Sequence, residues 1–148
     1  MNLVQVEDTG CRLVGAITEL GHAGPKHHAV ILGMNLLDGL IYVAEHMHYG
    51  YQVVKQNDFV RRYEKNGPVL IQPNEGQFDN VTVASRALEE IKKGGKGVYN
   101  LITNNCECFV NRAMHDKNFS KQIIRTGVGV AIFAAVCGGV YYYAKNSK

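Results

Sequence analysis

Tryptophan is absent from this 148-residue chain, proline occurs three times, and none of the four cysteines forms a CxxC pair. Cys11, Cys106, Cys108 and Cys137 make no regular framework, which excludes a disulfide scaffold. An excess of one charge is lacking too. Sixteen basic residues against 13 acidic ones leave a net +3, too weak and too evenly spread for a nucleic-acid partner. No internal repeat or low-complexity segment occurs. The N-terminus has no basic stretch followed by an apolar core, so free thiols in a reducing compartment are expected. The length suits one domain that buries a core without disulfide or metal staples.

Charge is missing altogether from Thr126 to Ala144. As a helix this stretch would span roughly 28 Å, about one hydrocarbon core. Lys121 and Arg125 precede it, Lys145 and Lys148 follow, and Tyr141, Tyr142 and Tyr143 cluster at one end as an interfacial belt would. Gly127, Ala131 and Ala135 share a face at four-residue spacing, which suits association with another helix. A buried core helix is the alternative, but four glycines cost more in a soluble helix than in lipid. The expected division is a folded domain over 1–122 and a C-terminal transmembrane tail over 123–148.

What is present upstream reads as α+β. Strands are expected at Arg12–Thr18, Ala29–Gly33, Leu40–Ala44, Tyr51–Lys55 and Val69–Gln72, the second and third joined as a hairpin through Asp38-Gly39. Asn57-Asp58 should cap a short helix carrying Phe59, Val60 and Tyr63, which Gly67-Pro68 breaks. Asp79 or Asn80 should cap a longer helix with the stripe Val81, Ala84, Leu88 and Ile91, ended by Gly94. Gly94-Gly95-Lys96-Gly97 lacks the spacing of a phosphate loop and is expected to be a flexible turn. The result is a small antiparallel sheet packed with about three helices, plus the hydrophobic tail helix.

Asn104-Asn105-Cys106-Glu107-Cys108-Phe109 leads from a polar turn into another helix. Asparagine at the cap puts Cys106 in the first turn, where orphan N–H groups and the helix dipole favour a thiolate, the nucleophilic form. Cys108 lies two positions on, pointing to the other side of the helix. It therefore cannot easily share a metal or a disulfide with Cys106, and is expected to pack. His27, His28, His46 and His48 lie upstream on predicted strand ends. A Cys/His enzyme is the reading these residues support.

His27-His28-Ala29-Val30-Ile31-Leu32-Gly33, a further histidine after the hairpin, and Asn105-Cys106-Glu107-Cys108-Phe109-Val110-Asn111 together resemble the lecithin:retinol acyltransferase (LRAT)-like, or H-box/NC, family. That family is related to NlpC-type peptidases, and the resemblance covers roughly residues 10–122. It implies a permuted papain-like, NlpC-like fold, with His27 as the general base for Cys106. His46 would orient His27, with His48 or, after a one-residue register slip, Glu45 in its place. Cys108 stands where the family usually has histidine. The implied reaction is acyl transfer from a glycerophospholipid through an acyl-cysteine thioester, as phospholipase A or acyltransferase, with no metal or cofactor. The implied partners are the phospholipid substrate and the membrane through the tail. A peptidase or amidase on the same scaffold, and a non-enzymatic tethered module, are the rival readings.

Overall fold

The computed structural model describes residues 1–132. Strands β1 (Leu3–Val4), β2 (Arg12–Ala16), β3 (Lys26–Asn35), β4 (Leu40–Met47), β5 (Gly50–Lys55) and β6 (Leu70–Gln72) form one antiparallel sheet. The order is β5-β4-β3-β2-β6, with β1 pairing to the far end of β3. Helices α1 (Gln56–Tyr63), α2 (Asn80–Lys92) and α3 (Cys106–His115) pack on it, and a fourth, α4, runs across residues 121–132. The class is α+β with a small antiparallel sheet, as expected. Among the described residues no helix is long and apolar enough to cross a membrane. The expected span over 126–144 lies mostly outside them, α4 holding only its first turns.

Strand alternation divides the core. Leu13, Ala29, Ile31 and Val43 face Phe59 of α1, with Tyr63 packed beside them. Val30, Leu32 and Ala44 face Val83, Ala84 and Ala87 of α2 and Phe109, Val110 and Ala113 of α3. The sheet is thus covered by α1 on one side and by α2 and α3 on the other. Two glycines permit close approaches. A Cβ on Gly15 would meet the Tyr63 ring at 2.6 Å, and one on Gly33, at φ +126°, would meet the Val4 carbonyl oxygen at 2.4 Å. Gly33 also adjoins a β-bulge, because Ile31 pairs with Val43 and Gly33 with Tyr42, leaving Leu32 as the extra residue.

The hairpin turns at Asp38-Gly39 as expected, with Gly39 at φ +68°. Two local expectations differ. Helix α1 starts two or three residues earlier, at Gln56, because β5 runs into it without a linker and extended Lys55, rather than Asn57 or Asp58, serves as its cap. In α2, Asp79 caps as expected by accepting the Thr82 N–H at 2.9 Å. Its buried face, however, is Val83, Ala84 and Ala87, while Val81 is 42% exposed. Small side chains there let α2 sit close to α3. The glycine loop at 94–97 is a turn, but a tied one. Tyr51 Oη accepts the Lys96 N–H at 3.1 Å, and the Asn104 amide donates to the carbonyls of Lys96, Gly97 and Val98.

Candidate active site

Asn105 is the cap of α3. Its Oδ1 accepts the Cys108 N–H at 2.9 Å and its Nδ2 donates to the Leu101 carbonyl at 2.7 Å, so one side chain fixes both the helix start and the loop before it. Cys106 is therefore the first helical residue, where the backbone N–H groups have no intrahelical acceptor. Its side chain is 4% exposed, and its Sγ lies 3.8 Å from the Lys26 carbonyl at the start of β3. Cys108, on the other side of the helix turn, is buried in the packing, and burial pushes its thiol up.

His27 is the second residue of β3, adjacent to that Lys26 carbonyl. Its ring is stacked against Phe59 and Tyr63, with centroids 5.7 and 5.4 Å away. Its Nε2 makes a 2.8 Å contact with Glu45 Oε2, which leaves Nδ1 as the nitrogen that can exchange a proton with the thiol. Burial alone would disfavour an imidazolium here. Hydrogen bonding and charge from Cys106 and Glu45 outweigh it and raise His27 to about 9. Glu45 is fully buried yet ionised. Burial opposes the charge, but His27 and Arg62 hold its carboxyl below the usual range, and Gln52 Nε2 donates to Oε1 at 2.7 Å. The Arg62 guanidinium also bonds Oε1 and lies over the Phe59 and Tyr63 rings. Cys106, His27 and Glu45 thus lie together, with Glu45 on one ring nitrogen of His27 and Cys106 interacting with the same ring, the grouping that a nucleophile–base–acid relay would need.

His46 does not occupy the orienting place expected for it. Glu45 pairs with Ala29 and shares the His27 face, so the next residue on β4 points through to the other side. There His46 stacks on Tyr51 with centroids 3.8 Å apart, and among the described residues neither ring nitrogen has a hydrogen-bond partner. Burial, helped by the Arg112 charge, lowers it to about 4, so it is a neutral core residue. His48 is exposed in the β4–β5 turn. His28 is buried on the His46 side, with the Gln122 amide 3.1 Å from its Nε2, and burial holds it well below the ordinary histidine range.

Tyr99 escaped the sequence analysis. It lines the cavity beside Cys106, and burial, followed by the Cys106 charge, pushes its hydroxyl up to about 12. It therefore stays protonated and can donate. Its hydroxyl is thus a donor in the same cavity as the Cys106 thiol. The only signal in the sequence was a tyrosine just ahead of the Asn-Cys motif. Arg62 and Gln52 gave no signal, because their role depends on the fold bringing α1 and β5 to Glu45.

Cys106 opens on a cavity of about 460 Å³, whose walls include Ile17, Ala23, Pro25, Leu101 and Ile123. That volume is in the range of small-molecule sites. Comparison of the chain with protein-family models, curated proteins and solved structures found no match.

Proposed function

We propose that this chain is a cysteine-dependent acyl-transfer enzyme acting on glycerophospholipid, as a phospholipase A or acyltransferase of the LRAT-like type. The observation that carries the reading is the grouping of Cys106, His27 and Glu45, with Cys106 lining a cavity whose surface is mostly apolar. The chain order of base on a strand, acid on the next strand and nucleophile on a later helix is the order a permuted papain-like, NlpC-like fold would have. Most of the cavity's surface is apolar, which suits an acyl chain, while Lys26, Asn105, Gln122 and Arg125 place polar groups around it. Exposed Leu20, Leu101 and Ile102 flank it along the chain, and Ile124 and Val128 continue along α4. That surface, followed by the uncharged stretch to Ala144, favours a lipid bilayer as the place of work, with residues 123–148 as the anchor.

In this mechanism the Cys106 thiol gives its proton to His27 Nδ1, and the thiolate attacks the ester carbonyl carbon. The oxyanion accepts hydrogen bonds from the Cys106 N–H and the Tyr99 hydroxyl. Glu45 stays ionised and balances the imidazolium. The tetrahedral intermediate collapses as the imidazolium protonates the departing glycerol oxygen, leaving lysophospholipid and an S-acyl cysteine. His27 then takes a proton from water, or from an amine or alcohol acceptor, which attacks the thioester and releases Cys106.

The test is intact-protein mass spectrometry of the full chain after incubation with phosphatidylcholine vesicles. A fatty-acyl mass gain on the wild type, absent from Cys106→Ala, is expected together with lysophospholipid. No adduct and no lysophospholipid would refute the reading.

A further inference from the structure

The start of α4 is built into the site rather than trailing from it. Gln122 Oε1 accepts the Lys26 N–H at 2.9 Å, and its Nε2 donates to the Lys26 carbonyl at 3.3 Å. One side chain thereby pairs with the first residue of β3 as a neighbouring strand would, beside the same carbonyl that the Cys106 thiol approaches. Glu107, buried in the first turn of α3, accepts the Ser120 hydroxyl and the Gln122 N–H, the latter at 3.1 Å. Ser120 in turn accepts the Ile123 N–H at 3.3 Å and caps α4. These contacts tie α4 to both the nucleophile helix and the histidine strand.

Held there, Gln122, Ile123, Arg125 and Thr126 form one wall of the Cys106 cavity, while Ile17 and Leu101 form part of the rest. One turn beyond Thr126, Val130 is 64% exposed and lies outside the cavity. The groove therefore begins at the thiol and opens along the helix that leads into the uncharged stretch.

We infer that the first turns of α4, through Ile123 and Thr126, make the binding wall for the acyl chain that is delivered to Cys106. This rests on the acyl-transfer reading and deepens it. The chain lies in the groove against Ile123 and Thr126, with its carbonyl at the Cys106–Tyr99 end. Residues 121–126 then belong to the catalytic unit, and the boundary between that unit and the tail falls after Thr126 rather than at 122. A tail anchored in a bilayer would lead the groove to its source of acyl chains.

The experiment uses the full chain in detergent micelles and N-alkylmaleimides from ethyl to hexyl. The rate of Cys106 alkylation is followed by peptide mass. Alkylation reads the groove without any turnover. In the wild type the rate rises with chain length, by up to about fourfold per methylene if each is fully buried, the equivalent of about 0.8 kcal/mol. Thr126→Trp, a change at an exposed position, abolishes that rise with chain length. Val130→Trp does not alter it. Equal rates for all chain lengths in the wild type overturn the inference, as does a rise that survives Thr126→Trp. A rise lost in Thr126→Trp supports it even if phosphatidylcholine gives no acyl-enzyme, in which case only the acyl-transfer reading falls.

Discussion

Replacing Glu45 with glutamine and, separately, His46 with phenylalanine separates two adjacent residues that have opposite roles. Glutamine keeps the shape of the Glu45 side chain and some of its hydrogen bonding, but removes the charge that His27 and Arg62 share. Arg62 is partly exposed and can be rehydrated, so the stability loss should fall below the 3–5 kcal/mol typical when a buried charge is stranded. The His27 contact is the one that matters for rate. A charge-assisted hydrogen bond contributes about 1.5–3 kcal/mol, so its loss predicts a roughly 10- to 150-fold fall in kcat. The alkaline limb of the pH–rate profile should also move. His27 is raised to about 9 partly by Glu45, so the variant's limb should lie lower. His46→Phe keeps the stack on Tyr51 and sacrifices no hydrogen bond, so rate and limb should both stay. The assay is steady-state phosphatidylcholine hydrolysis from pH 6 to 10, with circular dichroism confirming each fold. If folded His46→Phe loses as much activity as Glu45→Gln, or if the Glu45→Gln limb remains near 9, the relay described above is refuted.

If Tyr99 donates to the oxyanion as in the proposed mechanism, Tyr99→Phe should lower kcat by roughly 10²–10³-fold, while iodoacetamide still alkylates Cys106. Unchanged turnover would leave the tyrosine with packing only. Stability should fall at both ends of the pH range. His28 and His46 have folded pKa values below their unfolded ones, so the unfolded chain binds more protons as pH drops from 6.5 toward about 4, and folding weakens there. His27 is raised, so its contribution is full below 6.5 and is lost as pH climbs through about 9. Urea midpoints between pH 4.5 and 9.5 should trace a maximum between these windows, and His46→Phe should flatten the acid side. An acid limb as steep in that variant would show that His46 is not the group responsible.

Most of the elements were legible because their signals are local. Asp38-Gly39 marks the hairpin, Asp79 the start of α2 and Asn105 the start of α3, each through hydrogen bonds that residues a few positions apart can make. Pairing Cys106 with His27 followed from the motif, and the fold brings the two together. The third member was misassigned for a non-local reason. From the turn, Asn35 lies opposite Leu40 and Gly33 opposite Tyr42, and an unbroken ladder would place Ala29 opposite His46 on the His27 face. The extra residue Leu32 shifts the remaining pairs by one, and Glu45 takes that position. The bulge depends on Gly33 at positive φ beneath β1, and β1 comes from a stretch with no strand signal. Tyr99 and the docking of α4 onto β3 and α3 were missed similarly, since both depend on contacts across the chain.

That bulge constrains how the protein can change over evolutionary time. One residue in β3 decides which face of β4 meets the histidine, and the same parity sends Val43 to the α1 side and Ala44 to the α2–α3 side. A lineage that ironed out the bulge would exchange carboxylate for imidazole at the base, and in the same step turn the interior of β4 inside out. The acid at this position can therefore drift only by direct substitution at Glu45, where Arg62 and Gln52 already select for a carboxylate.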